Sequence, residues 1–218
     1  MIVPVLTIDG PSGAGKGTIS RLVAKRLGWH YLDSGSIYRS LAIAALNQSV
    51  DLKNEVEVVK VAKAMALVFE CDENLTVRLD GEDITAQLGL ESTGAMASVV
   101  AALPDVRYAL LKKQQDFRQY PGLVADGRDM GTVVFPDAQN KVFLTASAVK
   151  RAERRYKQLI EKGIDANITQ ITQEIEARDY RDMSRKSAPL AMASDALYID
   201  SSEMTIEAVI EEVLNLIQ

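Results

Sequence analysis

A glycine-rich stretch near the N-terminus holds the residues whose types and spacing point most clearly to a chemistry. It runs Gly10-Pro11-Ser12-Gly13-Ala14-Gly15-Lys16-Gly17-Thr18, between an apolar run at residues 2 to 8 and a helical pattern. Such a turn between a strand and a helix points backbone N–H groups inward, and the helix N-terminus adds partial positive charge. A lysine at the helix start can then reach the outer phosphates of a nucleoside triphosphate. The stretch therefore predicts a phosphate-binding loop, called the phosphate loop below.

One position of the phosphate loop departs from the common pattern. A Ser or Thr that binds magnesium usually follows the lysine directly, whereas here Gly17 comes first and Thr18 second. Any hydroxyl contribution must come from Thr18, and we expect no protein side chain as a direct metal ligand. The Gly-Lys-Gly-Thr ending is more similar to nucleoside monophosphate kinases than to GTPases.

The composition is that of an ordinary folded protein of 218 residues, with 47% hydrophobic and 25% charged residues and a net charge of −5. This length suffices for one α/β domain with a sizeable core. The acidic balance argues against a nucleic-acid partner, because binding to a phosphate backbone needs positive charge. Cys71 is the only cysteine, so no intrachain disulfide can form, which fits a reducing cytosol.

The apolar segments predict neither a membrane span nor a cleaved leader. No apolar run is long enough to cross a bilayer. The run at residues 2 to 8 lacks a basic leader and a cleavage site, so we expect a core strand. We therefore expect a cytoplasmic protein without a membrane partner. His30 is the only histidine and cannot form a metal site alone, so we expect it to pack or to cap the first helix.

Alternating strand and helix patterns predict a doubly wound, parallel sheet. We expect five core strands, centred near Val5, Leu32, Val124, Phe143 and Ile199. Between the second and third of these, a helix is expected at 54 to 67, an antiparallel hairpin at 68 to 81, a loose segment at 89 to 94 and a helix at 104 to 117. Two arginine-rich helices are expected at 147 to 162 and 169 to 183, separated by Gly163. Their few apolar residues favour a mobile arm that closes over phosphates.

Several charged or polar residues allow two interpretations. Ser34 or Ser36 could cap the next helix while Arg39 is a solvated side chain, or Ser34 and Arg39 could face a second phosphate; position alone favours the first. Arg107, in the first turn of a helix, is either solvated or held there to meet an anion or a base edge.

Two further charged pairs are ambiguous in the same way. Arg128 and Asp129 lie between two glycines directly after a buried strand, where a ligand-binding role is favoured over a structural pair. Arg178 and Asp182 could be an exposed ion pair that contributes well under ~1 kcal/mol.

Three further motifs accompany the phosphate loop. The first is Leu32-Asp33-Ser34-Gly35-x-Ile37-Tyr38-Arg39, and the second is Ala125-Asp126-Gly127-Arg128-Asp129-Met130-Gly131-Thr132. The third is Arg178-Asp179-x-Arg181-Asp182, followed by Arg185 and by Ala188-Pro189-Leu190. Together with the phosphate loop, these motifs resemble the bacterial cytidylate kinase family, and the resemblance covers nearly the whole chain. It implies a P-loop NTPase-type three-layer α/β fold with a five-stranded parallel sheet, a small β-hairpin insertion and a helical lid.

The resemblance also implies how a single domain would be organised. The core would comprise residues 1–39, 104–150 and 191–218. The nucleoside-monophosphate-binding region, with its insertion, would span about 40–103. The lid would span about 151–190.

Transfer of a phosphoryl group from ATP to CMP or dCMP, in pyrimidine nucleotide metabolism, is the activity that the resemblance implies. ATP would be bound by the phosphate loop (Gly10, Pro11, Ser12, Gly13, Ala14, Gly15, Lys16, Gly17 and Thr18) and by Arg151, Arg154 and Arg155 of the lid. The acceptor phosphate would be held by Arg39, Arg128 and Arg185. Cytosine would be recognised by Ser98, Arg107 and Asp129, and the ribose by Arg178 and Asp182, with Ser34 also in the acceptor site. Lys16, Arg128 and Arg185 would be catalytic, and Mg²⁺ would arrive as MgATP.

Other functions remain open from the residues alone. A kinase of the same architecture could act on another nucleotide or on a hydroxylated metabolite. A GTPase-like switch would carry Asp-x-x-Gly and Asn-Lys-x-Asp, but the nearest segment is Asn140-Lys141-Val142-Phe143. An RNA-binding module could use the arginine-rich helices, although the acidic total counts against it. We expect a monomer.

Overall fold

The computed structural model describes residues 2–71, 75–161 and 163–217. Its elements, in chain order, are β1 (Val5–Asp9), α1 (Lys16–Leu27), β2 (His30–Asp33), α2 (Ser34–Asn47), α3 (Glu55–Ala64), β3 (Leu67–Cys71), β4 (Leu75–Leu79), β5 (Glu82–Asp83), α4 (Thr85–Leu88), α5 (Glu91–Val100), α6 (Pro104–Gln115), β6 (Leu123–Gly127), a π-helix (Met130–Val134), β7 (Asn140–Thr145), α7 (Ala148–Glu161), α8 (Ile168–Ser184), β8 (Leu197–Asp200) and α9 (Ile206–Asn215). Two compact units are present. The first comprises the residues up to Leu32 and from Arg118 onward, and the second comprises Asp33–Phe117.

A five-stranded sheet with the order β2-β6-β1-β7-β8 forms the centre of the first unit. β1 pairs in parallel with both β6 and β7, and β7 pairs in parallel with β8. Every residue of β1 and of β6 is buried, as expected for strands that are covered on both faces. The five predicted strand centres and the parallel sheet are therefore confirmed.

Helix α1 begins at the end of the phosphate loop and ends at a glycine. Gly28 adopts a left-handed conformation with φ of 65°, and the N–H of Trp29 donates to the carbonyl of Ala24. The expectation that His30 caps this helix is wrong, because Gly28 has that position. His30 begins β2 instead, and its Nε2 lies 3.0 Å from the carbonyl oxygen of Tyr120.

The two arginine-rich helices α7 and α8 lie in the first unit and pack against each other. Ser147 caps α7 as predicted, since its Oγ accepts from the N–H of Lys150 at 3.3 Å. Gly163, with φ of 72°, follows that helix, while Lys162 lies outside the described residues. The two helices share a small apolar cluster formed by Ala152, Ile171 and Ile175. Closure of these helices over phosphates stays a prediction.

Helix α2, in the second unit, begins earlier than the sequence predicts. The Asp33 carboxylate accepts from the N–H of Ser36 at 3.0 Å, so Asp33 is the N-cap and the helix begins at Ser34. Capping by Ser34 or Ser36 is therefore wrong. The carboxylate competes successfully because it carries a full negative charge at the positive end of the helix.

A three-stranded sheet with the order β3-β4-β5 follows α3. The antiparallel pairing of β3 with β4 confirms the predicted hairpin, whereas its turn at 72–74 and the Cys71 side chain lie outside the described part. Helix α3 ends at Ala64, before the predicted 67, because Leu67 already begins β3. The segment 89 to 94 is not loose, since Gly94 belongs to α5. Within the described ranges no single helix is long and apolar enough to cross a membrane; only the bent pair Ser92–Val100 and Pro104–Gln115 meets the length and composition criteria together.

We predict that Gly10→Ala destabilises the fold far more than Gly28→Ala. A Cβ at Gly10 would lie 1.9 Å from the carbonyl oxygen of Leu144, whereas nothing lies within 4 Å of a Cβ at Gly28. The Gly10 variant should lose about 3 kcal/mol or more in unfolding free energy. The Gly28 variant should lose about 1–2 kcal/mol, the cost of a left-handed backbone alone. Urea denaturation measures both, and equal losses would contradict the close contact at Gly10.

Candidate active site

The phosphate loop curls because its glycines adopt backbone conformations that other residues avoid. Gly13 and Gly15 have φ of 77° and 95°, and Gly15 is the N-cap of α1. A Cβ at Gly13 would lie 3.2 Å from the Cβ of Arg151, so the loop passes close to α7. The first turn of α1 therefore begins directly at the loop, and its N–H groups lie at the position where an anion would be stabilised.

Lys16, the first residue of α1, is buried with 7% of its surface exposed. Its ammonium group donates to the carbonyl oxygen of Pro11 at 2.8 Å. Burial, together with the charges of Arg128 and Arg178, lowers the pKa of Lys16 to about 7, although the charge of Asp126 acts against this shift. The structure thus brings the predicted catalytic Lys16 within electrostatic range of two predicted acceptor-site arginines.

Asp126, at the end of β6, is a buried carboxylate that the sequence did not single out as a site residue. Its Oδ2 accepts from the hydroxyl of Tyr31 at 2.7 Å. A Cβ on Gly17 would lie 3.8 Å from the same oxygen, so Asp126 lies beside the phosphate loop. A carboxylate next to the Gly17-Thr18 pair is an oxygen donor of the type that Mg²⁺ prefers. No group of three or more His, Cys, Asp or Glu suited to a metal occurs among the described residues.

Asp9, the last residue of β1, was also missed. Its two carboxylate oxygens accept from the N–H groups of Met130 and Gly131, each at 2.8 Å. Burial raises the pKa of Asp9 to about 6, although both hydrogen bonds act against that rise. Asp9 therefore ties the strand that leads into the phosphate loop to the segment that follows Arg128 and Asp129. An aspartate directly before Gly10 was the only sequence feature that could have indicated it.

The predicted acceptor-site residues of the first unit form ion pairs with one another. Arg128 donates from Nε to Oδ2 of Asp182 at 2.7 Å, and Arg185 lies 3.5 Å from Oδ1 of Asp129. Burial acts to raise the pKa of Asp182, but the hydrogen bond from Arg128 and the charges of Arg128, Arg178 and Arg185 together hold that pKa below its usual value. The predicted exposure of an Arg178–Asp182 pair is wrong, because Asp182 is buried. Asp182 accepts from Arg128, and the charge of Arg178 also acts on it.

The three arginines that are predicted to lie in a lid differ in their surroundings. Arg151 is buried and donates to the carbonyl oxygen of Ser12, within the phosphate loop, at 2.9 Å. Arg154 is half-buried and donates to the carbonyl oxygen of Ser201 at 2.6 Å. Arg155 is half-buried on the same helix. Arg151 thus contacts the loop through protein–protein hydrogen bonds.

The predicted acceptor-site residues of the second unit have partners within that unit. Ser34 donates to Oε1 of Gln114 at 2.6 Å, and Ser98 donates to the carbonyl oxygen of Gly94 at 3.2 Å. Arg39 is half-buried and donates to the carbonyl oxygen of Leu88 at 2.8 Å, which contradicts a freely solvated side chain.

Arg107 is likewise not solvated. Only 8% of its surface is exposed, and its guanidinium lies 5.5 Å from the centre of the Tyr38 ring. This distance permits a cation–π contact. The alternative, a cation held to meet an anion or a base edge, stays a prediction.

Comparison with known proteins now identifies the family. The family model described as cytidylate kinase matches residues 6–218. The chain belongs to the cytidylate kinase family. Cytidylate kinase of Methylococcus capsulatus is 55% identical to it over 99% of this chain and 97% of that protein. Cytidylate kinase of Aeromonas salmonicida is 55% identical over 98% and 93%, respectively.

Solved structures resemble this member of the cytidylate kinase family more distantly. One of them is shikimate kinase from Acinetobacter baumannii in complex with shikimate. The match covers 99% of this chain and 93% of the shikimate kinase chain, with 15% sequence identity and a TM-score of 0.46. The family assignment confirms the sequence-based resemblance. It also makes the chain a phosphotransferase, and it leaves the individual site residues as predictions.

We predict that MgATP binding is accompanied by proton uptake at Lys16. With a pKa near 7, the free amine is mostly neutral at pH 8. Phosphate oxygens favour the ammonium form and raise the pKa again, so uptake should reach about 0.5 to 1 proton per ATP. Calorimetry in buffers of different ionisation enthalpy measures this number.

The matched variant for this experiment is Lys16→Arg. A guanidinium stays charged, so its binding enthalpy should not depend on the buffer. A wild-type enthalpy that is equally independent of the buffer would contradict the lowered pKa of Lys16.

Proposed function

We propose that the protein transfers the γ-phosphoryl group of ATP to CMP and dCMP, producing ADP and CDP or dCDP. The observation that carries this proposal is the buried Lys16, within reach of the charges of Arg128 and Arg178, at the phosphate loop of a cytidylate kinase-family chain. Such a reaction needs little covalent help from the protein. It needs the two phosphates aligned and their charge stabilised.

The donor triphosphate is assigned to the phosphate loop. The N–H groups at the start of α1 supply partial positive charge from a backbone that is already curled, and the Lys16 ammonium adds a full charge. On binding, the ammonium exchanges its hydrogen bond to the Pro11 carbonyl for one to a phosphate oxygen. Lys16 then stabilises the charge that develops on the transferred group.

The acceptor phosphate is assigned to Arg39, Arg128 and Arg185. Each guanidinium already has a defined orientation, since Arg39 is bonded to Leu88, Arg128 to Asp182 and Arg185 to Ala188. Oriented guanidinium groups lose less conformational freedom when they bind an oxyanion. The same arginines would stabilise the equatorial oxygens during transfer.

The base and the sugar are assigned to a second set of residues. Cytosine offers an amino donor to the Asp129 carboxylate, and it offers carbonyl and ring-nitrogen acceptors to Arg107 and Ser98. Arg178 and Asp182 are assigned to the ribose, and Ser34 to the acceptor site. Uracil presents a carbonyl where cytosine has its amino group, so Asp129 would be left opposite an acceptor.

Mg²⁺ is expected to enter as MgATP, and it would neutralise part of the phosphate charge. Asp126, which lies beside Gly17, and the hydroxyl of Thr18 are the oxygen donors that would hold it, through water. The lid arginines Arg154 and Arg155 are assigned to ATP. Closure of α7 and α8 would exclude the water that competes with the acceptor.

We also propose a cytoplasmic monomer without nucleic-acid or membrane partners. The net charge of −5 and the single cysteine support this. Sedimentation at micromolar concentration measures the oligomeric state, and a dimer would contradict the proposal.

The experiment that tests the function is a steady-state acceptor screen at saturating MgATP. CMP and dCMP should give the highest kcat/KM, with UMP and AMP lower. Lys16→Ala should reduce turnover with CMP by roughly two to three orders of magnitude, because the transition-state charge loses its nearest cation. A hydroxylated metabolite or another nucleotide as the best acceptor would overturn the proposal.

We predict that Asp129→Ala relaxes acceptor selection. Loss of the carboxylate removes the group that accepts from the cytosine amino group, so kcat/KM for CMP should fall by about 10- to 100-fold and approach that for UMP. Asp165→Ala, which removes an exposed carboxylate between α7 and α8, should leave selection unchanged. An unaltered preference for CMP over UMP and AMP in Asp129→Ala would show that Asp129 does not recognise the base.

A further inference from the structure

All three nitrogens of the Arg151 guanidinium donate hydrogen bonds to the protein, and one of these bonds reaches the phosphate loop. Its Nε donates to the carbonyl oxygen of Ala146 at 2.9 Å, and its Nη1 donates to the carbonyl oxygen of Ser12 at 2.9 Å. Its Nη2 donates to Oδ2 of Asp179 at 2.6 Å. Each guanidinium nitrogen thus has a different acceptor: the end of β7, the phosphate loop and helix α8.

The stem of Arg151 contacts the same loop. A Cβ at Gly13 would lie 3.2, 3.6 and 3.8 Å from the Cβ, Cγ and Cδ of Arg151. Arg151 therefore holds the loop at two adjacent points, by a hydrogen bond at Ser12 and by packing at Gly13. A shift of the guanidinium would move the loop that presents its N–H groups to the triphosphate.

Asp179 supplies the charge that holds this guanidinium in place. It lies on α8, one turn before Asp182, and its side chain is 14% exposed while that of Arg151 is 5% exposed. A buried guanidinium bonded only to carbonyl oxygens would lack a counter-charge, so Asp179 offsets its desolvation. The carboxylate is used incompletely, because Oδ1 is buried and finds no hydrogen-bond partner among the described residues.

A buried carboxylate oxygen without a hydrogen-bond partner costs free energy, so its presence calls for an explanation. In this structure the other oxygen of Asp179 orients Arg151, and Arg151 contacts the phosphate loop. Asp182, one turn further along α8, pairs with Arg128 in the same manner. Helix α8 thus carries one carboxylate for an arginine at the donor loop and one for a predicted acceptor-phosphate arginine.

We propose that Asp179 is a positioning residue for the donor site, which acts through Arg151 to fix the phosphate loop at Ser12 and Gly13. This proposal rests on the proposed function only in that the loop binds MgATP. Neither side chain needs to touch the nucleotide. The proposal differs from a structural tie between α7 and α8, because it requires a specific loss of ATP affinity.

The test is MgATP binding by calorimetry, without acceptor, in a double-variant cycle. Asp179→Ala should weaken MgATP binding about 10-fold, the size expected for contacting residues that act together. Arg151→Met, which keeps the stem against Gly13, should weaken it by a similar factor, and the double variant should be no weaker than Arg151→Met alone. Affinity for CMP should stay within about twofold, since the disturbed residues lie at the donor loop. Glu176→Ala, which removes an exposed carboxylate from α8, should bind MgATP as the wild type does.

Three results would overturn the proposal: unchanged MgATP affinity in Asp179→Ala, multiplicative losses in the double variant, or an equal loss of CMP affinity. If Asp179→Ala does not fold because Arg151 is left unpaired, the double variant with both charges removed carries the test. It must then bind MgATP about as weakly as Arg151→Met. MgATP binding does not depend on the acceptor, so a failure of CMP phosphorylation in the wild type would appear separately, in the acceptor screen.

Discussion

Burial of the Lys16 amine is the constraint on which the donor side of this protein depends. A lysine that is to reach phosphates at the start of α1 must leave water, and desolvation penalises its charge. The surroundings do not fully compensate, because Arg128 and Arg178 add like charge while Asp126 opposes them. We therefore expect this site to favour an anionic ligand, since burial and the neighbouring like charges both disfavour an uncompensated ammonium at Lys16.

The parallel sheet explains how so many charges meet in one place. β1 and β6 are neighbours in register, with Asp9 opposite Gly127, so the carboxyl ends of both strands lie together at one edge. Asp9 and Asp126 take their positions from those strand ends. On helix α8, Asp179 pairs with Arg151 and Asp182 pairs with Arg128. This helix therefore supplies the negative charge for two arginines of the first unit.

Sequence patterns predicted the structure correctly where the signals lie close together along the chain. The strands, the phosphate loop, the hairpin and the Ser147 cap were predicted because periodicity, glycine and capping chemistry are local. The roles of Asp9 and Asp126 were not, because their partners are backbone N–H groups and a tyrosine far along the chain. Likewise, Asp33, Ser34 and Ser36 are all residue types that cap helices, so the sequence alone did not select Asp33 as the cap. Gly94 favoured a loop, yet α5 includes it because packing outweighs a helix cost of about 1 kcal/mol.

We propose that a phosphoryl group held at Lys16 passes directly to a cytidine monophosphate. Phosphorus NMR of the purified protein with MgATP and CMP tests this transfer, because it follows every phosphate species at once. Direct transfer predicts that ADP and CDP appear in equal amounts as ATP disappears, with little inorganic phosphate. Release of inorganic phosphate at a rate independent of CMP, without CDP, would contradict it.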